Sequence, residues 1–192
     1  MTGEGTVPSR EVVMSTVSGQ EFRPFDPRPE DVELGDVAHA LSNICRCSGQ
    51  TRWFYSVGLH SLYVSRNLRE RDANPRVKLY GLLHDAPEAY VSDVVAPVKR
   101  HLDRYRDLER DIMTAVWGAF DLPEPTEAEW AAVEDADRRV RRYELATLLP
   151  DVVEGDPPAL SYDLRGDESR DVAAAFDARA RTLVAETDAA LP

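Results

Sequence analysis

Long apolar runs are scarce in this sequence of 192 residues, and its 23 basic residues are outnumbered by 35 acidic ones. No apolar run reaches the roughly 18 residues of a membrane span, and acids and prolines interrupt the start of the chain, where a secretion signal would be apolar. The formal net charge of −12 repels nucleic acid polymers and anionic membrane surfaces, so we expect neither as a partner. These absences predict a cytoplasmic protein.

Cysteine is also scarce, and Cys45 and Cys47 are the only two in the chain. Two cysteines so close together are poorly placed to close a disulfide, which indicates reduced thiols. Because there is no second pair, a zinc ribbon is excluded. The simplest interpretation is two small, partly buried residues near a helix end.

The composition is sufficient for one domain with a substantial core, since 43% of the residues are hydrophobic. Glycines and prolines are frequent in residues 1–30, which predicts an N-terminal arm that is extended, with a short strand or hairpin as an option over residues 11–25. Residues 31–192 are predicted to form the folded domain. Apolar residues recur there at helical spacing, and Thr126 with Glu129 forms a capping-box pattern. The sequence predicts an all-α bundle, with helices over residues 34–46, from 56, from 76, over 103–120, from 126 and over 168–190.

Four side chains that can bind a metal fall on inward-facing positions of these helices. His60 lies on an apolar stripe, His84 and Asp85 lie side by side just before Pro87, and Asp137 lies on the stripe of the capped helix. Taken singly, each has an ordinary interpretation, as a core histidine, a hydrogen-bonded pair or an ion-pair partner of an arginine. Because uncompensated buried charges are costly, the four together favour a divalent metal ion.

The order of histidine, histidine-aspartate and aspartate on successive helices resembles the HD-domain metal-dependent phosphohydrolases. The surrounding segments are similar to those of the five-prime deoxynucleotidases and of the viral deoxynucleoside triphosphate triphosphohydrolases. The resemblance covers roughly residues 33–144 and rests on residues 36–41, 45–46, 54–61, 83–88, 93 and 97–99. It implies an HD-domain helical bundle, a small nucleotide substrate, a homo-oligomer that is a dimer or higher, and a divalent ion that is manganese, cobalt, iron, zinc or magnesium.

The resemblance also implies a role for each matching residue. His60, His84, Asp85 and Asp137 would hold the metal ion. Glu88 and Asp93 would be the catalytic acids, while Arg46 and Lys99 would bind the substrate phosphate. Two positions depart from the family pattern: Cys47 stands where an aromatic residue usually follows the arginine, and Pro87 lies within the acidic motif.

Physical chemistry supports the same roles independently. A phosphoester repels hydroxide, so a cation must neutralise it and lower the pKa of a bound water, while a carboxylate such as Glu88 or Asp93 takes the proton. Arg46 and Lys99 are suited to hold phosphoryl oxygens. The plainer alternatives are a helix cap for Arg46, a solvated Lys99 and a turn cap for Asp93.

Trp53 is a candidate substrate-binding residue because it is close in sequence to the predicted phosphate-binding arginine, with core packing as the alternative. His39 and His101 are not assigned to the metal. We expect a hydrolase that cleaves deoxynucleoside monophosphates to orthophosphate, deoxynucleoside triphosphates to triphosphate, or both. The alternatives are an alarmone-type hydrolase, which Ala89 disfavours because a second acid is expected there, and a metal-loaded nucleotide-binding module without turnover.

Overall fold

The computed structural model of the chain describes residues 12–149, 155–162, 164 and 171–192. Within these ranges the fold is all-α apart from one two-stranded antiparallel hairpin, which confirms the predicted fold class. The elements in chain order are β1 (Met14–Ser15), β2 (Glu21–Phe22), α1 (Leu34–Asn43), α2 (Val57–Glu70), α3 (Pro75–Leu83), α4 (Glu88–Val91), α5 (Ala96–Lys99), α6 (Asp103–Ala119), α7 (Glu127–Leu148) and α8 (Val172–Ala185).

The N-terminal arm contains the short hairpin that the sequence offered as an option, with Met14 paired to Phe22. Phe22 is fully buried, and its ring stacks on Tyr90 with the ring centroids 3.6 Å apart. The backbone N–H of Ser18 donates to the Asp36 carboxylate at 2.9 Å. The described part of the arm is therefore packed against the helices, while residues 1–11 of the predicted arm lie outside the described residues.

The first helix ends at Asn43, three residues before its predicted end. Ile44 and Cys45 are extended, and Cys45 forms an isolated antiparallel bridge with Ser56. Pairing with the chain that returns to α2 thus replaces the last helical turn. As a result, Arg46 begins a short 3-10 turn, Arg46–Gly49, instead of ending a helix.

Of the later helices, the predicted start of α7 is confirmed, whereas the predicted last helix differs from the structure. Thr126 and Glu129 form the reciprocal capping box at the start of α7. The predicted last helix, 168–190, is shorter in the structure: residues 168–170 lie outside the described residues, and α8 ends at Ala185. Beyond α8, the backbone N–H of Ala190 donates to the carbonyl of Phe120 at 2.9 Å, so the C-terminal segment contacts the end of α6.

Helix α2 lies at the centre of the fold, in contact with α1, α3, α7 and α8. Its apolar stripe is buried, with Val57 and Val64 fully inaccessible and His60 among them. Since α3 and α7 pack on α2 and on each other, polar groups on their facing sides are brought together. Among the described residues, no helix combines the length and the apolar composition that a membrane crossing requires.

Candidate metal centre

The structure brings the four predicted metal ligands to one place. Donor atoms of His60, His84 and Asp85 all lie within 4.8 Å of one another. Asp137 approaches from α7, with Oδ1 at 3.1 Å from His60 Nε2 and 4.0 Å from His84 Nε2. His84 and Asp85 directly follow α3, which ends at Leu83, as the nearby proline predicted.

Each histidine has one ring nitrogen already engaged. His84 Nδ1 lies 2.9 Å from the carbonyl oxygen of Gly81, and His60 Nδ1 lies 2.8 Å from Oε1 of Glu144. Because a carbonyl or carboxylate oxygen accepts, both Nδ1 atoms carry hydrogen, and a neutral ring then has its lone pair on Nε2. The two Nε2 atoms face each other at 3.3 Å, with Asp85 Oδ2 at 3.3 Å from that of His84. This donor set fits a divalent first-row ion.

The electrostatics of the centre attract positive charge to His60. Burial and Arg46 lower the pKa of His60, but Glu144 and Asp137 outweigh them and raise it to about 9. Burial raises the pKa of Asp137, but His60 and His84 outweigh it, so that the net shift is downward. The carboxylates thus favour a cation at Nε2 of His60, whether a proton or a metal ion supplies it.

Glu144 contacts the predicted ligand His60, and the sequence did not identify it as part of the site. Its carboxylate is buried and accepts hydrogen bonds from His60 Nδ1 and from the hydroxyl of Tyr55, the latter at 2.7 Å. Burial raises the pKa of Glu144, but His60 and Arg46 lower it by more, which keeps the carboxylate ionised. A carboxylate that holds the far nitrogen of a metal-binding histidine fixes its ring orientation. The available signal was its position on the inward stripe of α7, which also carries Asp137.

Arg46 also reaches this centre. Its side chain is 12% exposed, and its guanidinium lies 3.2 Å from Asp85 Oδ2 and 3.7 Å from Glu144 Oε2. The turn that carries it is unusual, since Cys47 has a φ of 55° and donates its backbone N–H to Asp93 Oδ2 at 3.0 Å. Non-glycine residues with positive φ cost of order 1–3 kcal/mol each and cluster at functional sites.

The predicted catalytic acid Glu88 begins α4 and is 4% exposed. Its Oε1 lies 3.6 Å from Nζ of Lys99, while its buried Oε2 has no hydrogen-bond partner among the described residues. Burial first, and then Asp85, raise the pKa of Glu88. Lys99 is held more closely by Glu109, at 2.7 Å, so it lies between two carboxylates.

Three other residues that the sequence analysis weighed are Trp53, His39 and His101. Trp53 is partly buried and packs against the core, and a stacking role for it stays a prediction. His39 is exposed on α1 next to Asn43, and His101 is exposed after α5. Neither belongs to the cluster of donor atoms found in the described part of the chain.

A cleft of about 550 Å³ opens beside His84 and Asp85. Its lining includes Glu88 and Lys99, together with residues of α6, of the segment before α7 and of the first turn of α7. The sequence did not predict this cleft. Its volume falls within the roughly 300–1,000 Å³ that is usual for small-molecule sites.

Comparison with known proteins places the chain in a family. The uncharacterized protein RCAP_rcc00048 of Rhodobacter capsulatus is 34% identical over 185 residues, which cover 88% of this chain and 93% of that protein. The chain belongs to the same family as this protein. The uncharacterized protein YfdR of Escherichia coli K12 is 36% identical over 110 residues, 57% of this chain and 59% of its own length. No family model matches the sequence.

Proposed function

We propose that this protein is a metal-dependent phosphohydrolase of the HD type that acts on deoxynucleotides. It would release orthophosphate from monophosphates, triphosphate from triphosphates, or both. The observation that supports this most is the pair of imidazoles whose Nε2 atoms lie 3.3 Å apart while both Nδ1 atoms are engaged elsewhere. These two nitrogens and the neighbouring carboxylates favour a cation at this point, and a divalent ion could bind both Nε2 atoms in place of a proton.

The ion would be held by His60, His84, Asp85 and Asp137, whose atoms are within reach of one another. When bound, a divalent ion neutralises phosphate charge and lowers the pKa of a coordinated water. The chain supplies the rest. Arg46 keeps its guanidinium beside Asp85, where it can donate two N–H groups to one phosphoryl group.

Glu88 is the residue that would move a proton. Because burial and Asp85 raise its pKa, its carboxyl group retains a proton nearer to neutral pH than an ordinary glutamate does. A protonated carboxyl group can give that proton to the leaving oxygen as the ester bond breaks. The raised pKa thus supports proton donation by Glu88 instead of the proton acceptance expected from the sequence, and Asp93 would then be the carboxylate that takes the proton of the attacking water. Lys99 at 3.6 Å then faces the resulting carboxylate and stabilises it.

The test joins metal analysis with product identification. Purified protein is analysed for bound metal and incubated with each deoxynucleoside mono-, di- and triphosphate plus Mn²⁺ or Co²⁺, and the products are separated by chromatography. We expect bound metal and released orthophosphate or triphosphate, and we expect His84→Ala and Asp85→Ala to lose both. His39→Ala, which changes an exposed histidine on α1, is the matched control and should behave as wild type.

Several results would contradict the proposal. Turnover that persists in a chelator, from protein without metal, would exclude the metal centre. Binding of metal and nucleotide without any product would instead favour the binding module. Equal rates on ribonucleotides and deoxynucleotides would remove the preference for deoxynucleotides, which a pocket closed around the sugar edge should enforce.

A further inference from the structure

The residue before Asp93 has a backbone conformation that normally only glycine adopts. Ser92 has a φ of 72° and a ψ of 164°. This region of the backbone map is essentially restricted to glycine, because a side chain is strained there. The side chain of Ser92 does not compensate for the strain, since it is exposed and makes no hydrogen bond with the described residues. Contacts of the backbone therefore impose this conformation.

Both polar groups of the Ser92 backbone are held by hydrogen bonds. Its N–H donates to the carbonyl of Glu88 at 2.8 Å, at the end of the single turn of α4. Its carbonyl accepts at 2.6 Å from the hydroxyl of Tyr105, which lies in the first turn of α6. The same hydroxyl lies 3.2 Å from the carbonyl of Val91. Tyr105 thus fixes the peptide group that joins Ser92 to Asp93.

The direction of the chain at Ser92 decides where the next side chain lies. Asp93 Oδ2 accepts the backbone N–H of Cys47 at 3.0 Å, in the turn that begins at Arg46. That turn is strained as well, because Cys47 and Ser48 have φ values of 55° and 53°. Two strained turns therefore meet at one hydrogen bond. Strain of this kind persists only where the surrounding structure imposes it, and it clusters at active sites.

We propose that Tyr105 is a positioning residue for Asp93: its hydroxyl holds Ser92 in the strained conformation, and this conformation keeps the Asp93 carboxylate at the turn of Arg46. The inference rests on the proposed phosphohydrolase function, in which Asp93 takes the proton of the attacking water. Tyr105 acts through the backbone and not on the reacting atoms. The plainer alternative is that the bond to Cys47 alone holds Asp93, so that the Tyr105 hydroxyl only adds stability.

Tyr105→Phe removes the hydroxyl and keeps the ring, whose centroid lies 5.6 Å from the Lys99 ammonium. We expect kcat to fall about 10–100-fold, because a displacement of about 1 Å in a catalytic group can cost that much. Metal content should not change. Tyr80→Phe is the matched control, since it also removes a hydroxyl that donates to a backbone carbonyl, that of Pro123 at 2.7 Å, and it should keep the wild-type kcat.

Substitutions of Ser92 separate positioning from simple stabilisation. Ser92→Gly added to Tyr105→Phe should restore kcat to within about threefold of the wild type, because glycine adopts this conformation without strain. Ser92→Ala added to Tyr105→Phe should not restore it, since alanine is strained there as serine is. A fall in kcat that both substitutions reverse, or that neither reverses, would overturn the proposal.

Amide hydrogen exchange measures the same coupling without turnover. The N–H of Cys47 is protected by its bond to Asp93. Its exchange, followed by nuclear magnetic resonance, should be about fivefold or more faster in Tyr105→Phe, the ratio that the loss of one hydrogen bond produces, and slow again with Ser92→Gly. Exchange at Cys47 that does not change in Tyr105→Phe would overturn the proposal.

The two readouts distinguish this inference from the function on which it rests. The expected exchange pattern in a protein that hydrolyses no nucleotide would support the positioning of Asp93 and overturn the phosphohydrolase. Hydrolysis at the wild-type rate in Tyr105→Phe would overturn the inference and leave the phosphohydrolase in place. If Tyr105→Phe does not fold, as judged by circular dichroism, the double variant with Ser92→Gly should fold and that with Ser92→Ala should not. An unfolded double variant with Ser92→Gly would overturn the proposal.

Discussion

Replacing Glu144 by glutamine tests how the imidazole of His60 is held for metal binding. In the wild type, the carboxylate accepts from His60 Nδ1 at 2.8 Å and from the Tyr55 hydroxyl at 2.7 Å, and all three groups are buried. Glutamine keeps the size of the side chain but removes its charge and one of its acceptor oxygens. His60 is then less basic and its ring orientation is less constrained.

The magnitude follows from these contacts. Loss of a partner that orients a metal-binding histidine lowers metal affinity by about 10–100-fold, or roughly 1.4–2.7 kcal/mol. Stability of the metal-free protein should also fall, by about 1–3 kcal/mol, because a neutral amide replaces the buried carboxylate that His60, Tyr55 and Arg46 contact. Tyr55→Phe is the matched control, since it removes one hydrogen bond to Glu144 and leaves the bond to His60. It should lower the free energy of unfolding by about 1 kcal/mol with little change in metal affinity.

Metal affinity is measured by competition with a chelator of known strength, and stability by urea unfolding of the metal-free protein. We expect Glu144→Gln to bind metal more weakly than Tyr55→Phe by at least tenfold. Equal affinities in the two variants would refute the reasoning, because the contact between Glu144 and His60 would then have no part in metal binding. Unchanged affinity in Glu144→Gln alone would refute it equally.

Three further predictions concern single residues. Glu88→Gln should keep the metal but lower kcat by about 10²–10⁴-fold, as steady-state kinetics and elemental analysis will show; a metal-free or fully active variant would contradict the role of Glu88. Asp93 accepts a hydrogen bond from the backbone N–H of Cys47, and the asparagine of Asp93→Asn can still accept it. Asp93→Asn should therefore retain more activity than Asp93→Ala in steady-state kinetics. Equal losses in both variants would indicate that the charge of Asp93 is needed. Gly58→Ala places a Cβ 3.2 Å from the backbone carbon of Leu41 in α1. The resulting overpacking costs about 1–3 kcal/mol and should outweigh the roughly 1 kcal/mol gained in helix propensity, so the Tm should fall. A higher Tm would show that α1 can move aside.

Local signals in the sequence were sufficient for the helices and for the side of each helix that faces inward. The periodicity around Val57 and Val64 correctly placed His60 in the core, and the capping box at Thr126 set the start of α7. These features depend on neighbours within one or two turns, so the chain encodes them directly. The predicted end of α1 was wrong by three residues, because the helix is ended by the pairing of Cys45 with Ser56, a residue eleven positions further along the chain.

Tertiary structure decided which groups are partners in the site. Glu144 and His60 are 84 positions apart, and the residue pattern of neither helix indicates that these two side chains form a hydrogen bond. The sequence could identify Lys99 as a candidate for phosphate, but only the packing of α5 on α6 brings Glu109 within 2.7 Å of it. Likewise, the contact between the rings of Trp117 in α6 and Trp130 in α7 depends on how these two helices are placed relative to each other. The sequence by itself determined the helices and the residues they turn inward, because periodicity and capping act locally. Only the fold selected their partners, because side chains far apart in sequence meet according to the packing of whole helices.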